Sequence, residues 1–125
     1  MSLIVTIDSD DLDAQMMADE LSGSGEVAQY STLWDALASM VEKAPSVIVI
    51  DTNTAQLVGV DVLGIIADTV GPVPIIVMTH DGTQMAAHRS LQMGATAHIS
   101  KYTLGSHVLS NTVNSLIHQR VRIAA

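Results

Sequence analysis

The chain has no cysteine. That excludes a disulfide framework and agrees with a cytoplasmic protein. Basic residues are scarce: five Lys and Arg stand against thirteen Asp and Glu, a formal net charge of −8. Nucleic-acid affinity rests on phosphate contacts from basic side chains, so direct binding of DNA or RNA is not expected. No apolar run approaches the length of a membrane-spanning helix, and the first residues lack the basic start of a secretory leader. Phenylalanine is absent while methionine numbers seven, so aliphatic side chains and Met must fill the core. Charged residues make up only 14% of 125 positions and apolar ones 48%, which fits one domain with a large interior and a weakly charged surface.

Short apolar runs recur along this sequence. Leu3–Ile7, Val27–Tyr30, Ser46–Asp51, Pro74–Thr79 and Ala97–Lys101 each read as a strand. Continuous β-branched runs such as Val47-Ile48-Val49-Ile50 suit strands buried on both faces, as in a parallel sheet. Helical patterns separate them. Leu12, Met16 and Leu21 are expected on one face of a first helix, closed by Ser22-Gly23-Ser24-Gly25. Leu33, Leu37, Met40 and Val41 mark a second helix, ended before Pro45. A loop from Thr52 to Gly59 precedes a third helix over Val60–Val70, with Leu63, Ile66 and Val70 inward and Gly71-Pro72 as its stop. Gln84–Met93 is expected as a fourth, capped by Gly94. Leu104 to about Arg120 is the last, with Val108, Thr112, Val113, Leu116 and Ile117 on its buried side. Alternating strands and helices predict an α/β (βα)5 domain, a parallel sheet between two helical layers. Right-handed crossovers favour the flavodoxin-like strand order 2-1-3-4-5. The last residues carry no helix-stop signal, so the expectation is one domain over residues 1–125, cut from a longer protein.

In such a sheet, sites form at the carboxyl ends of the strands. Four strand ends carry chemistry: the acidic cluster Asp8-Ser9-Asp10-Asp11, the carboxylate Asp51, the hydroxyl Thr79 and the ammonium Lys101. A carboxylate nucleophile beside a hydroxyl, an ammonium and further acids suits a phosphorylatable aspartate with a divalent cation.

This arrangement resembles the receiver domain of bacterial two-component response regulators, over essentially the whole chain. The resemblance rests on Asp51 at the end of strand three, Gly59 eight residues on, Thr79 ending strand four, Gly94-Ala95 before strand five, and Lys101 twenty-two residues after the threonine. It implies that Asp51 is the phosphoacceptor, Thr79 the switch hydroxyl and Lys101 the phosphoryl contact. It further implies Mg²⁺ held by Asp8, Asp51 and the backbone carbonyl of Asn53. The implied donor is a histidine kinase or phosphotransfer protein. The implied output is a partner, an attached domain or a second copy, met through the fourth helix, fifth strand and fifth helix.

Three departures stand beside these matches. The family usually has two adjacent acids after strand one; here the pair is Asp8-Ser9, so weaker Mg²⁺ binding is expected, with Asp10 the alternative ligand if the loop shifts by one residue. His80 follows the switch threonine where the family prefers a small residue. Tyr102 follows Lys101 where the family usually carries a cis proline; a non-proline cis bond costs about 2.5–4 kcal/mol, so a trans peptide and a shifted Lys101 are expected. His98 takes the place of the family's rotating aromatic.

Plainer roles compete for several of these residues. Asp8 can cap the helix that follows, and Asp10 and Asp11 favour its N-terminal dipole. The five histidines, at 80, 88, 98, 107 and 118, read as solvated surface groups, and Trp34 as packing. A flavodoxin-like cofactor site is excluded, because Asp8-Ser9-Asp10-Asp11-Leu12-Asp13 would repel a phosphate. Two functions remain: a phosphorylation-dependent switch, with at most self-phosphotransfer and autodephosphorylation as activity, or a degenerate receiver used as an interaction module.

Overall fold

The structure is a computed structural model that describes residues 2–53 and 61–124, with side chains described as far as residue 119. Gly59, the rest of the loop 54–58 and the expected helix start at Val60 lie outside the described residues. In chain order the elements are β1 (Leu3–Ile7), α1 (Asp11–Leu21), β2 (Glu26–Tyr30), α2 (Leu33–Glu42), β3 (Val47–Ile50), α3 (Val62–Val70), β4 (Ile75–Thr79), α4 (Gln84–Gln92), β5 (Ala97–Ser100) and α5 (Val108–Ala124). A 3₁₀ turn, Lys101–Thr103, follows β5.

All strand pairs are parallel, in the order β2-β1-β3-β4-β5. Alternation along each strand divides the core in two. Val5, Ile7, Ile48 and Ile50 face α2 and α3, where they meet Leu33, Leu37, Met40, Leu63 and Ile66. Ile4, Val47, Val49, Ile76 and Met78 face α1 and α5, where they meet Met17, Leu21, Leu109 and Val113. Each residue of β3 is buried, as its unbroken apolar run requires. Side chains are excluded where β1 begins: a Cβ on Gly25 would stand 2.5 Å from the Ser2 carbonyl oxygen. Gly94, at φ 110°, closes α4 in the left-handed region that an L side chain resists.

Helix phase departs from the sequence expectation in three places. In α1 the buried residues are Met17 and Leu21, while Leu12 is 70% exposed and Met16 is exposed. The inward stripe steps by four through 13, 17 and 21, so Leu12 and Met16 fall beside it. In α2 the stripe is Leu33, Ala36, Leu37 and Met40, and Val41 and Trp34 point to solvent. The last helix starts at Val108, not Leu104, and buries Leu109 and Val113 while Val108 is exposed. Its late start follows from the 3₁₀ turn at Lys101 and from His107, whose φ of 68° is left-handed and not helical.

Candidate functional site

The carboxyl ends of β1, β3, β4 and β5 place the expected residues together. Asp8 follows β1 and Asp51 follows β3. Both are anchored by continuing the ladders: Asp8 N–H donates to the Tyr30 carbonyl and Asp51 N–H to the Ile7 carbonyl, each at 3.0 Å. Thr79 is the last residue of β4, and Lys101 comes directly after β5. Asp8, Asp51, Thr79 and Lys101 are all buried.

Lys101 is the hub. Its Nζ lies 2.5 Å from Asp51 Oδ2, 2.7 Å from Asp8 Oδ2 and 2.8 Å from Asp13 Oδ2. Asp8 and Asp51 are oriented in the same way. Asp8 Oδ1 accepts from Asp10 N–H at 2.9 Å, and Asp51 Oδ1 accepts from Asn53 N–H at 2.7 Å. In each, one oxygen is fixed by the backbone two residues on, and the other is turned to the ammonium. Burial opposes the charge on Lys101, but hydrogen bonds to Asp13, Asp51 and Asp8 outweigh it and raise its pKa above the ordinary lysine value. Burial raises the pKa of Asp8 despite the neighbouring ammonium. The Lys101 hydrogen bond lowers that of Asp13, whose carboxylate is less enclosed. Asp8 Oδ2 is buried without a hydrogen bond of proper geometry, although the Lys101 charge lies 2.7 Å away.

Asp13 was not anticipated as a site residue. It lies in the first turn of α1, and its Oδ2 also meets His80 Nε2 at 3.2 Å. The signal was its place four residues before Met17 and eight before Leu21, the two residues α1 buries. Taking Leu12 and Met16 as the inward stripe turned Asp13 away from the sheet. Asp10 does not join the cluster. Its Oδ1 accepts from Asp13 N–H at 2.9 Å as the N-cap of α1.

Two of the three departures meet each other. Ser9 is exposed. The His80 and Tyr102 rings meet edge-on with centroids 5.3 Å apart. Among the described residues no peptide is cis, and Lys101 opens a 3₁₀ turn directly after β5.

Thr79 looks the other way, toward α4 and β5. Its Oγ1 donates to the Asp81 carbonyl at 3.0 Å and lies 3.0 Å from His98 Nε2. A hydroxyl has one proton, so His98 is the donor in the second contact and carries its hydrogen on Nε2. His98 is half-buried with a partner, unlike the solvated group expected, whereas His80 is exposed as expected while its Nε2 meets Asp13. Beyond Thr79 a cleft of about 240 Å³ is lined by Asn53, Asp81, Arg89, Ser90 and His98, among others.

A cation site needs hard oxygen donors, and Asp8 and Asp51 already converge on one positive nitrogen. The donor chemistry fits Mg²⁺. Among the described residues no three acidic or histidine side chains are set to hold a metal directly; the point the carboxylates share is filled by Lys101 Nζ. No helix among the described residues is long and apolar enough to cross a membrane.

A family model described as the response regulator receiver domain matches residues 4–113. Similar solved structures include a response regulator receiver domain protein from Clostridium thermocellum, 23% identical with a TM-score of 0.83, the match covering 98% of this chain and 99% of that one. A two-component response regulator from Clostridium difficile is 18% identical with a TM-score of 0.83, over 96% and 98% of the two chains. The chemotaxis protein CheY4 of Vibrio cholerae is 21% identical with a TM-score of 0.77, over 90% and 96%. These likenesses concern the fold. No curated protein matches the chain.

Proposed function

Because the chain belongs to the response regulator receiver domain family, we propose that it is a phosphoacceptor switch charged on Asp51 by a histidine kinase or phosphotransfer protein. The observation that carries this reading is the Asp51–Lys101 pair at the strand edge, with Thr79 at the end of the neighbouring strand β4. An Asp51 carboxylate oxygen attacks the phosphorus of a phosphohistidine. The P–N bond breaks, its electron pair goes to the imidazole nitrogen, and an aspartyl phosphate remains. Lys101 then pairs with phosphoryl oxygens, for which it is already protonated. Thr79 Oγ1–H would donate its hydrogen bond to a phosphoryl oxygen in place of the Asp81 carbonyl, which links phosphorylation to the loop before α4. Asp8, Asp51 and the Asn53 carbonyl would hold Mg²⁺, which screens the attack of one anion on another.

The family is one of signalling domains, and self-phosphotransfer with autodephosphorylation is the only chemistry proposed. The proposed output face is α4, β5 and α5, toward an attached domain, a partner or a second copy, in the cytoplasm. Its exposed Met85, Leu91 and Met93 suit a protein contact. The second reading, a receiver used only for interaction, draws support from Lys101 being held by three carboxylates and from Ser9 in place of an acid. Intact mass after incubation with acetyl phosphate and Mg²⁺ separates the two. One added phosphoryl group, lost in Asp51→Asn, is expected; no gain in the wild type supports the interaction module.

A further inference from the structure

We propose that Asp13 is the third acidic ligand of the cation site, supplying from the first turn of α1 the carboxylate that Ser9 does not supply after β1. The proposal rests on the phosphoacceptor reading and extends its metal set to Asp8, Asp13 and Asp51. Three observations support it. Asp13 Oδ2 lies 2.8 Å from the same Lys101 nitrogen that Asp8 and Asp51 contact, so all three carboxylates face one point. That point already attracts a cation: three carboxylates and one ammonium leave a formal charge of −2 (−3 + 1), which one divalent ion cancels. Asp8, 2% exposed, aims into the same space an oxygen that makes no hydrogen bond of proper geometry and is met only by the Lys101 charge at 2.7 Å. A hard divalent ion would give that oxygen a ligand bond.

The position of Asp13 follows from helix geometry. Asp10 caps α1 by accepting the Asp13 N–H, which fixes the first turn, and Met17 and Leu21 bury the stripe on which Asp13 lies. The carboxylate is therefore held by an anchored helix, not by the loop that carries Ser9. Lys101 fills the place in the free protein; an entering ion would push its ammonium aside within the pocket, where a phosphoryl group on Asp51 could later pair with it.

Calorimetric titration of Mg²⁺ tests this with the wild type, Asp13→Asn, and Asp11→Asn as a control of equal charge change at an exposed position of the same turn. Asp13→Asn is expected to weaken binding at least tenfold and Asp11→Asn less than twofold. Adding Ser9→Asp to Asp13→Asn is expected to recover most of the loss. Equal effects of Asp13→Asn and Asp11→Asn overturn the assignment, while a wild type that binds Mg²⁺ and gains a phosphoryl group keeps the phosphoacceptor reading. A wild type that does neither overturns both. Carboxyl ¹³C shifts of the unmodified protein read the same point without a variant. Asp13 is expected to move with Asp8 and Asp51 on adding Mg²⁺; an unmoved Asp13 signal overturns the proposal.

Discussion

Helices α2 and α4 lie at opposite ends of the sheet and are held in opposite ways. Helix α2, ten residues long, buries Leu33, Ala36, Leu37 and Met40 against the core. Helix α4, nine residues long, buries none of its residues and leaves Met85 74% exposed. Their N-caps are alike: Thr32 Oγ1 accepts from Asp35 N–H and Thr83 Oγ1 from Ala86 N–H, both at 3.2 Å. With the caps alike, the difference lies in packing. A helix without buried side chains can shift with little loss of apolar contact, so movement is cheapest beside Thr79 and costly beside β2.

Truncation in α2 should have the largest effect. Met40→Ala is expected to cost about 2–5 kcal/mol by chemical denaturation, since the side chain is fully enclosed. A cost under about 1 kcal/mol would show that α2 is no better anchored than α4. Next is the charge cluster, which fixes the strand ends without apolar contact. The folded pKa of Lys101 is raised, so its contribution is fully present below the unfolded value of about 10.4 and is lost as pH rises through the folded value. Asp13 is the opposite case. Its pKa is lowered, so its contribution is present above about 3.9 and is lost as pH falls through the folded value. Stability measured between pH 9 and 12 should therefore fall less steeply in Lys101→Met than in the wild type; identical slopes would remove Lys101 from the alkaline limb.

The matched caps sharpen the contrast further. Thr32→Ala and Thr83→Ala should each weaken their helix by about 1 kcal/mol. The first should appear in global unfolding. The second should appear as faster amide exchange within α4, with a smaller change in the global midpoint; equal global losses would mean that α4 unfolds only with the whole domain. Smallest is Met85→Ala, expected to change stability by less than about 0.5 kcal/mol because the side chain is mostly solvated. If it instead abolishes partner binding while stability holds, the α4 face is the output surface.

The same contrast explains what could be read from the sequence. Buried parallel strands are unbroken apolar runs, so β3 and β4 were evident and their ends put Asp51 and Thr79 on one edge. Asp8 and Lys101 followed from the strand order. Helix rotation was less legible. In α1, Leu12, Met16 and Met17 are all apolar, and only the sheet selects Met17, which is why Asp13 escaped notice. In α2 and α5 the apolar stripes were broad enough for Val41 and Val108 to pass as inward. Lys101 in a 3₁₀ turn depends on the whole segment after β5, which has no periodic pattern to reveal it.

One further contact ties α1 to the last helix. The carboxylate of Glu20 forks, with Oε1 accepting from Gly105 N–H at 2.7 Å and Oε2 from Ser110 N–H at 2.8 Å. Asp13 and Glu20 are seven residues apart on one rigid rod, about 10 Å along its axis at 1.5 Å per residue. Mechanically, α1 is a pushrod with the acidic pocket at one end and the root of α5 at the other. A displacement along its axis when the pocket exchanges its ammonium for another ion would reach α5 directly, by a linkage that bypasses Thr79 and α4 altogether.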